Sequence, residues 1–394
     1  MRILALSILL LLLSFAFLAA APAQALDLQA TRTIGFPLTV AMLATVAAGW
    51  RPAVPAPHDA APLILLGLLA VMAIVEMPRG LDPMGYKLAL PIAALLAAPR
   101  IALLLDGVDV ARAVRALLAI YVTITALAVW WSGAGGLVRG HDGIERLDVT
   151  GSVVTHASLC AVHVVLAIGT LLHGRRWSEV PVAAATGLAA LAMIFLSGTR
   201  TALVTWGLFM ALSLAGGRRR LGEMLALTGG LATALVLHTA LVSDSFALRL
   251  QGGQDAYGSG RSHSIAAWLG RLADEPLGIG LGTIRRELAI ERPAIDGERM
   301  LEWPHNEVVR LTVEGGPLGL VLILGLLACT ARMALRGARA AADPLRRDLL
   351  LVLAADVIAE SMLQNFFNGI YQATAFLLLI GILATPLSAR PQPG

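Results

Sequence analysis

Apolar runs close to twenty residues long recur from one end of this chain to the other, separated by short polar loops. A run of that length suits a helix crossing a bilayer and far exceeds a membrane-barrel strand, because lipid offers backbone polar groups no partner outside the segment. The composition agrees. It is 57% hydrophobic and 14% charged with a mean hydropathy of +0.77, against about 45–50% apolar and about 25% charged in soluble domains. The expected fold is therefore all-α, a polytopic membrane helix bundle of about twelve spans forming one integral-membrane domain over residues 1–394. The spans fall at 3–21, 34–50, 63–77, 88–105, 113–131, 153–172, 180–196, 202–215, 221–242, 318–333, 349–363 and 366–387. The first ends near Ala23-Gln24-Ala25, which resembles a signal-peptidase site, but its apolar core is longer than that of a typical signal peptide. It is read as an uncleaved span.

Thirty basic residues against twenty-six acidic ones give +4, too small an excess to indicate nucleic acid. Their placement says more. Short loops on one side collect Arg2, Arg51, Arg112, Arg115, the pair Arg175 and Arg176, and Arg218 to Arg220. The same side holds Arg332, Arg336, Arg339, Arg346, Arg347 and Arg390, fifteen in all. The other side's short loops hold six, Arg32, Arg79, Lys87, Arg139, Arg146 and Arg200. The positive-inside rule then puts both termini inside and the long interval 243–304, between the ninth and tenth spans, outside. The loop 132–150 is expected to be solvated, and Arg100 to snorkel from its span toward the inner interface. Cys160 and Cys329 lie inside apolar runs and read as small core residues.

The interval beginning at Ser243 is the longest polar stretch, and candidate chemistry concentrates there. Ser259-Gly260-Arg261 opens a helix-like stretch, 262–273, where an arginine would reinforce the attraction of a helix start for anions. Gly278, Gly280 and Gly282 are spaced for a tight backbone turn and lack the dinucleotide fingerprint. His305 follows Pro304 and opens a helix reaching Glu314; an imidazole there has the right pKa range for a general base. Asn306 either orients that ring or caps the helix. Glu314, nine residues on, falls on the opposite face from His305 and suits a structural partner for an arginine. Gly315-Gly316-Pro317 predicts a kink or boundary. Earlier in the chain, Ser197-Gly198-Thr199-Arg200 lies at an outer junction between two spans. Arg200 there either caps helix carbonyls or grips a phosphate through its planar fork, with the Ser197 and Thr199 hydroxyls adding donors. Zinc spacing and the nucleophile elbow are both missing from the sequence. Asp356 and Glu360 share one face of the eleventh span, where they either relay protons or bond neighbouring helices.

Taken together, these residues resemble the O-antigen ligase and O-antigen polymerase family of bacterial envelope proteins. The likeness rests on Ser197-Gly198-Thr199-Arg200, on Gly260-Arg261 with Trp268, and on Pro276 through Gly282. It rests also on His305-Asn306 with Leu311, Glu314, Gly316 and Gly319, so that it covers residues 197–320. The resemblance implies a metal-independent, inverting glycosyltransferase without cofactors, in the bacterial inner membrane with a periplasmic site. Its donor would be a glycan on undecaprenyl pyrophosphate and its acceptor a glycan or lipid A–core, with membrane lipids around it. It implies that Arg200 and Arg261 hold the pyrophosphate while His305 acts as general base, with Ser197, Thr199 and Asn306 around the substrate. Glu314, Gly316 and Gly319 would support them. Ligation to lipid A–core is the expected reaction; polymerisation of lipid-linked repeats and transfer to a protein hydroxyl share the same donor chemistry. A secondary transporter or flippase built on Asp356 and Glu360 is the reading from a different class.

Overall fold

The computed structural model describes residues 60–77, 85–105, 108–132, 137–139, 145–147, 153–173, 177–199, 201–215, 261–290, 294–295, 299–300, 303–368 and 370–385. The predicted spans 3–21, 34–50 and 221–242 lie outside them. The helices are α1 (Ala60–Glu76), α2 (Ala89–Leu104), α3 (Val110–Ser132), α4 (Val153–His173), α5 (Glu179–Ser197) and α6 (Thr201–Ala215). Then come α7 (Arg261–Gly270), α8 (Thr283–Ile290), α9 (Glu307–Ala340), α10 (Pro344–Leu363) and α11 (Ile370–Ala384). Two small antiparallel hairpins depart from the all-α expectation. One pairs β1 (Leu137–Arg139) with β2 (Glu145–Leu147), inside the stretch read as a solvated loop; the other pairs β3 (Ala294–Ile295) with β4 (Arg299–Met300).

Nine predicted spans coincide with helices, but they are not equal. Among the described residues, four helices are long and apolar enough to cross a membrane: α3, α4, α5 and α9. The apolar helices α1, α2, α6 and α11 are shorter. The fifteen residues of α6 rise about 22 Å, short of a hydrocarbon core of about 30 Å. Helix α10 is long but carries Arg346, Arg347, Asp348, Asp356 and Glu360. It is also well shielded, packing against α4, α6, α9 and α11 with Leu349 to Val357 almost wholly buried. A polar helix at the centre, wrapped by apolar ones, keeps charge away from lipid. The outer surface is the reverse of a soluble protein's. Leu188 is 68% exposed, and Ile64, Leu127 and Val321 are exposed as well, an arrangement suited to hydrocarbon. Trp130, Trp131 and Trp177 are almost fully exposed near helix ends, where indole rings favour the membrane–water boundary.

Side-chain bonds sort the helix ends into two groups. At one end Arg115 of α3 pairs with Glu179 of α5 at 2.9 Å and donates to Thr170 of α4. There too, Arg339 of α9 donates to the carbonyl of Ala215, and Arg346 of α10 to those of Leu383 and Thr385. The opposite end gathers the C-terminus of α1, the turn before α2, the start of α9 and the connection from α10 to α11. The candidate site is built there.

Candidate functional site

The polar interval has a small core of its own, made by Trp268, Ile279, Ile284 and Val313. Trp268, on α7, is completely buried, and Arg271 lies over its ring at 5.4 Å while pairing with Glu287 of α8. Around this core the glycine-rich turn is stitched to the first turns of α9. Ile279 N donates to the Val313 carbonyl at 3.0 Å and Gly280 N to the Glu314 carbonyl at 2.8 Å. Both acceptors are carbonyls that a continuous helix would bond to residues four further on. They are available because α9 breaks at Gly316 (φ 59, ψ −147), and Pro317 has no amide hydrogen to offer. The predicted kink is therefore a docking point. Gly278 (φ 93) and Gly316 face one another so closely that a Cβ on the first would meet the Glu314 carbonyl at 2.5 Å, and one on the second the Leu277 carbonyl carbon at 2.5 Å. Only glycine fits both places. Gly319 is buried beneath the Leu311 carbonyl, where a side chain would also collide.

Carboxylates complete the stitching. Glu76, the last residue of α1, accepts from Leu281 N at 3.0 Å. Glu314 accepts from Ile284 N at 3.3 Å and from Arg310 Nη1 at 2.7 Å. Arg310 Nε donates to Glu307 at 2.6 Å, and the other oxygen of Glu307 accepts from Phe367 N at 2.9 Å, beyond the end of α10. One buried Glu307–Arg310–Glu314 triad thus joins α9 to the glycine turn and to the α10–α11 connection. Arg310 is 3% exposed, yet its Nη2 has no partner among the described residues.

At the head of this helix stands His305, half-buried, with a left-handed backbone (φ 44). Non-glycine residues take that conformation seldom, histidine more readily than most. Asn306 then caps the helix, its Oδ1 accepting from Val309 N at 3.1 Å. Capping therefore occupies that oxygen and leaves the Asn306 amide nitrogen for any ligand. Glu314 faces away from His305, toward Arg310. Lys87, in the turn ahead of α2, is held in the electrostatic field of Arg310, Glu307, Arg285 and Glu314. Burial pushes its pKa down to about 8; the positive charge of Arg310 adds to that and Glu307 opposes it. Three cations and two carboxylates share this space. Together with the spare Arg310 hydrogens, they make it receptive to an added negative charge.

Ser197 and Thr199 end α5, with Gly198 in the left-handed cap position. Ser197 Oγ donates to the Ile194 carbonyl at 2.6 Å and accepts from Thr199 N at 3.3 Å, closing the helix on itself. Arg200 lies outside the described residues, as does the side chain of Arg261, whose backbone begins α7. The structure thus sets Glu314 and Gly316 against the glycine turn and places His305 and Asn306 at the head of the same helix α9, with Gly319 within it, while Ser197 and Thr199 close the end of α5. Sequence reading passes over Lys87, Glu76, Glu307 and Arg310. Two signals were there to be read: Lys87 is the chain's single lysine, and Glu307, Arg310 and Glu314 have the three- and four-residue spacing of neighbours on one helix face. In comparisons with known proteins, no family model and no curated protein matches the chain.

Proposed function

We propose that the chain transfers a glycan from undecaprenyl pyrophosphate to an acceptor hydroxyl, that of lipid A–core, at the periplasmic face of a bacterial inner membrane. In this reading the chain spans the membrane about twelve times with both termini cytoplasmic, and residues 243–304 face the periplasm. The observation that carries it is the docking of the glycine turn on the first turns of the His305 helix. Two segments of the family likeness, far apart in sequence, meet there through backbone bonds that need glycine at Gly278 and Gly316. The left-handed His305, held between Pro304 and a capped helix, fits a ring whose position must be fixed.

The chemistry follows from the residue types. Pyrophosphate is already a good leaving group, so the barrier lies in its growing negative charge and in the weak nucleophilicity of a hydroxyl. Arg200 and Arg261 stabilise the first through charge-assisted bonds, without a divalent ion. His305 takes the proton from the acceptor hydroxyl as that oxygen attacks the anomeric carbon. The glycosyl–phosphate bond breaks on the opposite side and the anomeric centre inverts. An apolar groove of about 570 Å³ along α4, α5 and α6, lined by Leu171, Leu188 and Phe209 among others, suits a prenyl tail.

The test is reconstitution in proteoliposomes with a defined lipid-linked oligosaccharide and lipid A–core. The expected product is the glycosylated core. His305→Ala should lower turnover by about 10²–10⁴-fold at normal membrane levels, and Asp356→Asn with Glu360→Gln should matter less. Arg200→Lys should impair turnover despite keeping charge, because the bidentate fork is lost. Chelators should leave the purified activity intact. Lengthened lipid-linked glycan in place of glycosylated core would mean polymerisation. No transfer to any acceptor, with solute flux that depends on Asp356 and Glu360, would mean transport.

A further inference from the structure

Asp356 and Glu360 stand one turn apart on α10, 0% and 3% exposed, where α4, α6 and α11 meet it. Hydrogen-bond donors converge on the first. Ser158 of α4 donates to Asp356 Oδ2 at 2.5 Å, and Thr205 of α6 donates to Oδ1 at 2.9 Å. Behind Ser158, the amide of Gln372 on α11 donates to Ser158 Oγ at 3.2 Å, and Thr155 donates to Gln372 Oε1 at 3.1 Å. Asp356 thus shares its hydroxyl donors with whatever else this chain of bonds must serve. Glu360 draws on the same Ser158 and Gln372 as hydrogen-bond partners, and its Oε1 is buried without a partner among the described residues. Ser158 has one hydrogen and Asp356 receives it. A bare Glu360 carboxylate would compete with Asp356 for that one hydrogen, two negative charges on a single hydroxyl, unless something positive lies between them.

The surroundings do not supply that charge. Among the described residues no lysine, arginine or histidine pairs with either carboxylate. On α4, His156 is bonded to Tyr121 of α3 at 2.7 Å and lies near Cys160, and His163 is bonded to Thr186 at 2.9 Å. On α9, Glu307, Arg310 and Glu314 form their own triad, and Cys329, Arg332, Arg336 and Arg339 lie toward its other end. Helix α6 offers hydroxyls and the Trp206 indole, which donates to the Ala161 carbonyl, and α11 offers Gln372 and Thr374, the Tyr371 side chain lying outside the described residues. Along α10 itself, Arg346, Arg347 and Asp348 are about 12 Å or more from Asp356. Two unscreened negative charges one turn apart in a water-poor bundle would each carry a large desolvation cost as well as repelling one another.

We propose that Asp356 and Glu360 share one small monovalent cation, a proton or a sodium ion, occluded between Glu360, Ser158 and Gln372. The bound cation turns two charged side chains into one singly charged unit and binds α10 to α4, α6 and α11. It does not depend on the glycan-transfer reading.

The experiment uses the full chain in lipid nanodiscs, followed by infrared spectroscopy and thermal unfolding. In sodium-free choline buffer at neutral pH, a protonated-carboxyl band resistant to deuterium exchange is expected. Glu360→Gln should remove that band, and the wild-type Tm should fall as pH rises and the site empties. Glu360→Gln, which fixes the neutral form, should lose that pH dependence; Asp356→Asn, which leaves Glu360 buried but without its charged neighbour, should move the fall in Tm to lower pH and serves if the first variant does not fold. Sodium chloride that bleaches the band and raises Tm saturably, where choline does not, identifies sodium as the occupant. Indifference to sodium with the band intact identifies the proton. Absence of the band in sodium-free buffer overturns the proposal, as does a pH or sodium response that Glu360→Gln retains or that Asp356→Asn leaves unshifted.

Discussion

Lys87 and Arg310 are two cations on one crowded patch, and they respond differently to it. Arginine stays charged and recruits Glu307 and Glu314, whereas lysine gives way, its pKa drawn down to about 8 from 10.5 chiefly by burial. Between those two values the unfolded chain binds the Lys87 proton and the folded chain does not. Stability should therefore rise with pH through that window, and be lowest below about pH 8, where the buried ammonium is charged. Lys87→Met should flatten that rise and raise stability at neutral pH, as read by unfolding curves across the window. Arg310→Met removes the only cation of a buried triad and should destabilise by about 3–5 kcal/mol, because two carboxylates are left uncompensated. Adding Glu307→Gln and Glu314→Gln to that variant should restore most of the loss. A triad whose removal was harmless at the first step would not be holding the turn.

At the level of elements, the break in α9 is the instructive case. Gly315-Gly316-Pro317 announces an interruption, but the glycines of residues 278–282 do not announce that they fill it. A turn reads as local in sequence, while the two carbonyls it bonds become available only when the other segment kinks. Gly278→Ala combines an unfavourable φ, a cost of roughly 1–3 kcal/mol, with a backbone collision. Hydrogen exchange at the Ile279 and Gly280 amides should accelerate sharply. Gly207→Ala, with open space around it, should leave both amides protected. The hairpin of β1 and β2 was hidden for a related reason, since three-residue strands carry too little alternation to stand out from a loop. Asn306 was legible only as a choice between two roles, because a cap and a ligand contact use the same side chain.

Across the whole molecule, hydropathy located the helices well and their lengths less well. Runs such as 202–215 are apolar enough for lipid but too short to span it alone, and α10 is tolerated because its neighbours enclose its charges. That enclosure is a tertiary property; from sequence, Asp356 and Glu360 could face either protein or water. Lys87 was counted only as an outer short-loop cation, because its neighbours Arg310, Glu307 and Glu314 come from α9, far along the chain. The grip of Glu76 on Leu281 N reaches across 205 residues of chain. During synthesis, α1 must therefore leave the ribosome long before Leu281, whose amide its last residue grips. The end of the molecule that carries the glycine turn is thus late to mature, and a nascent chain stalled before residue 281 would hold α1 without the backbone amide that its last residue grips.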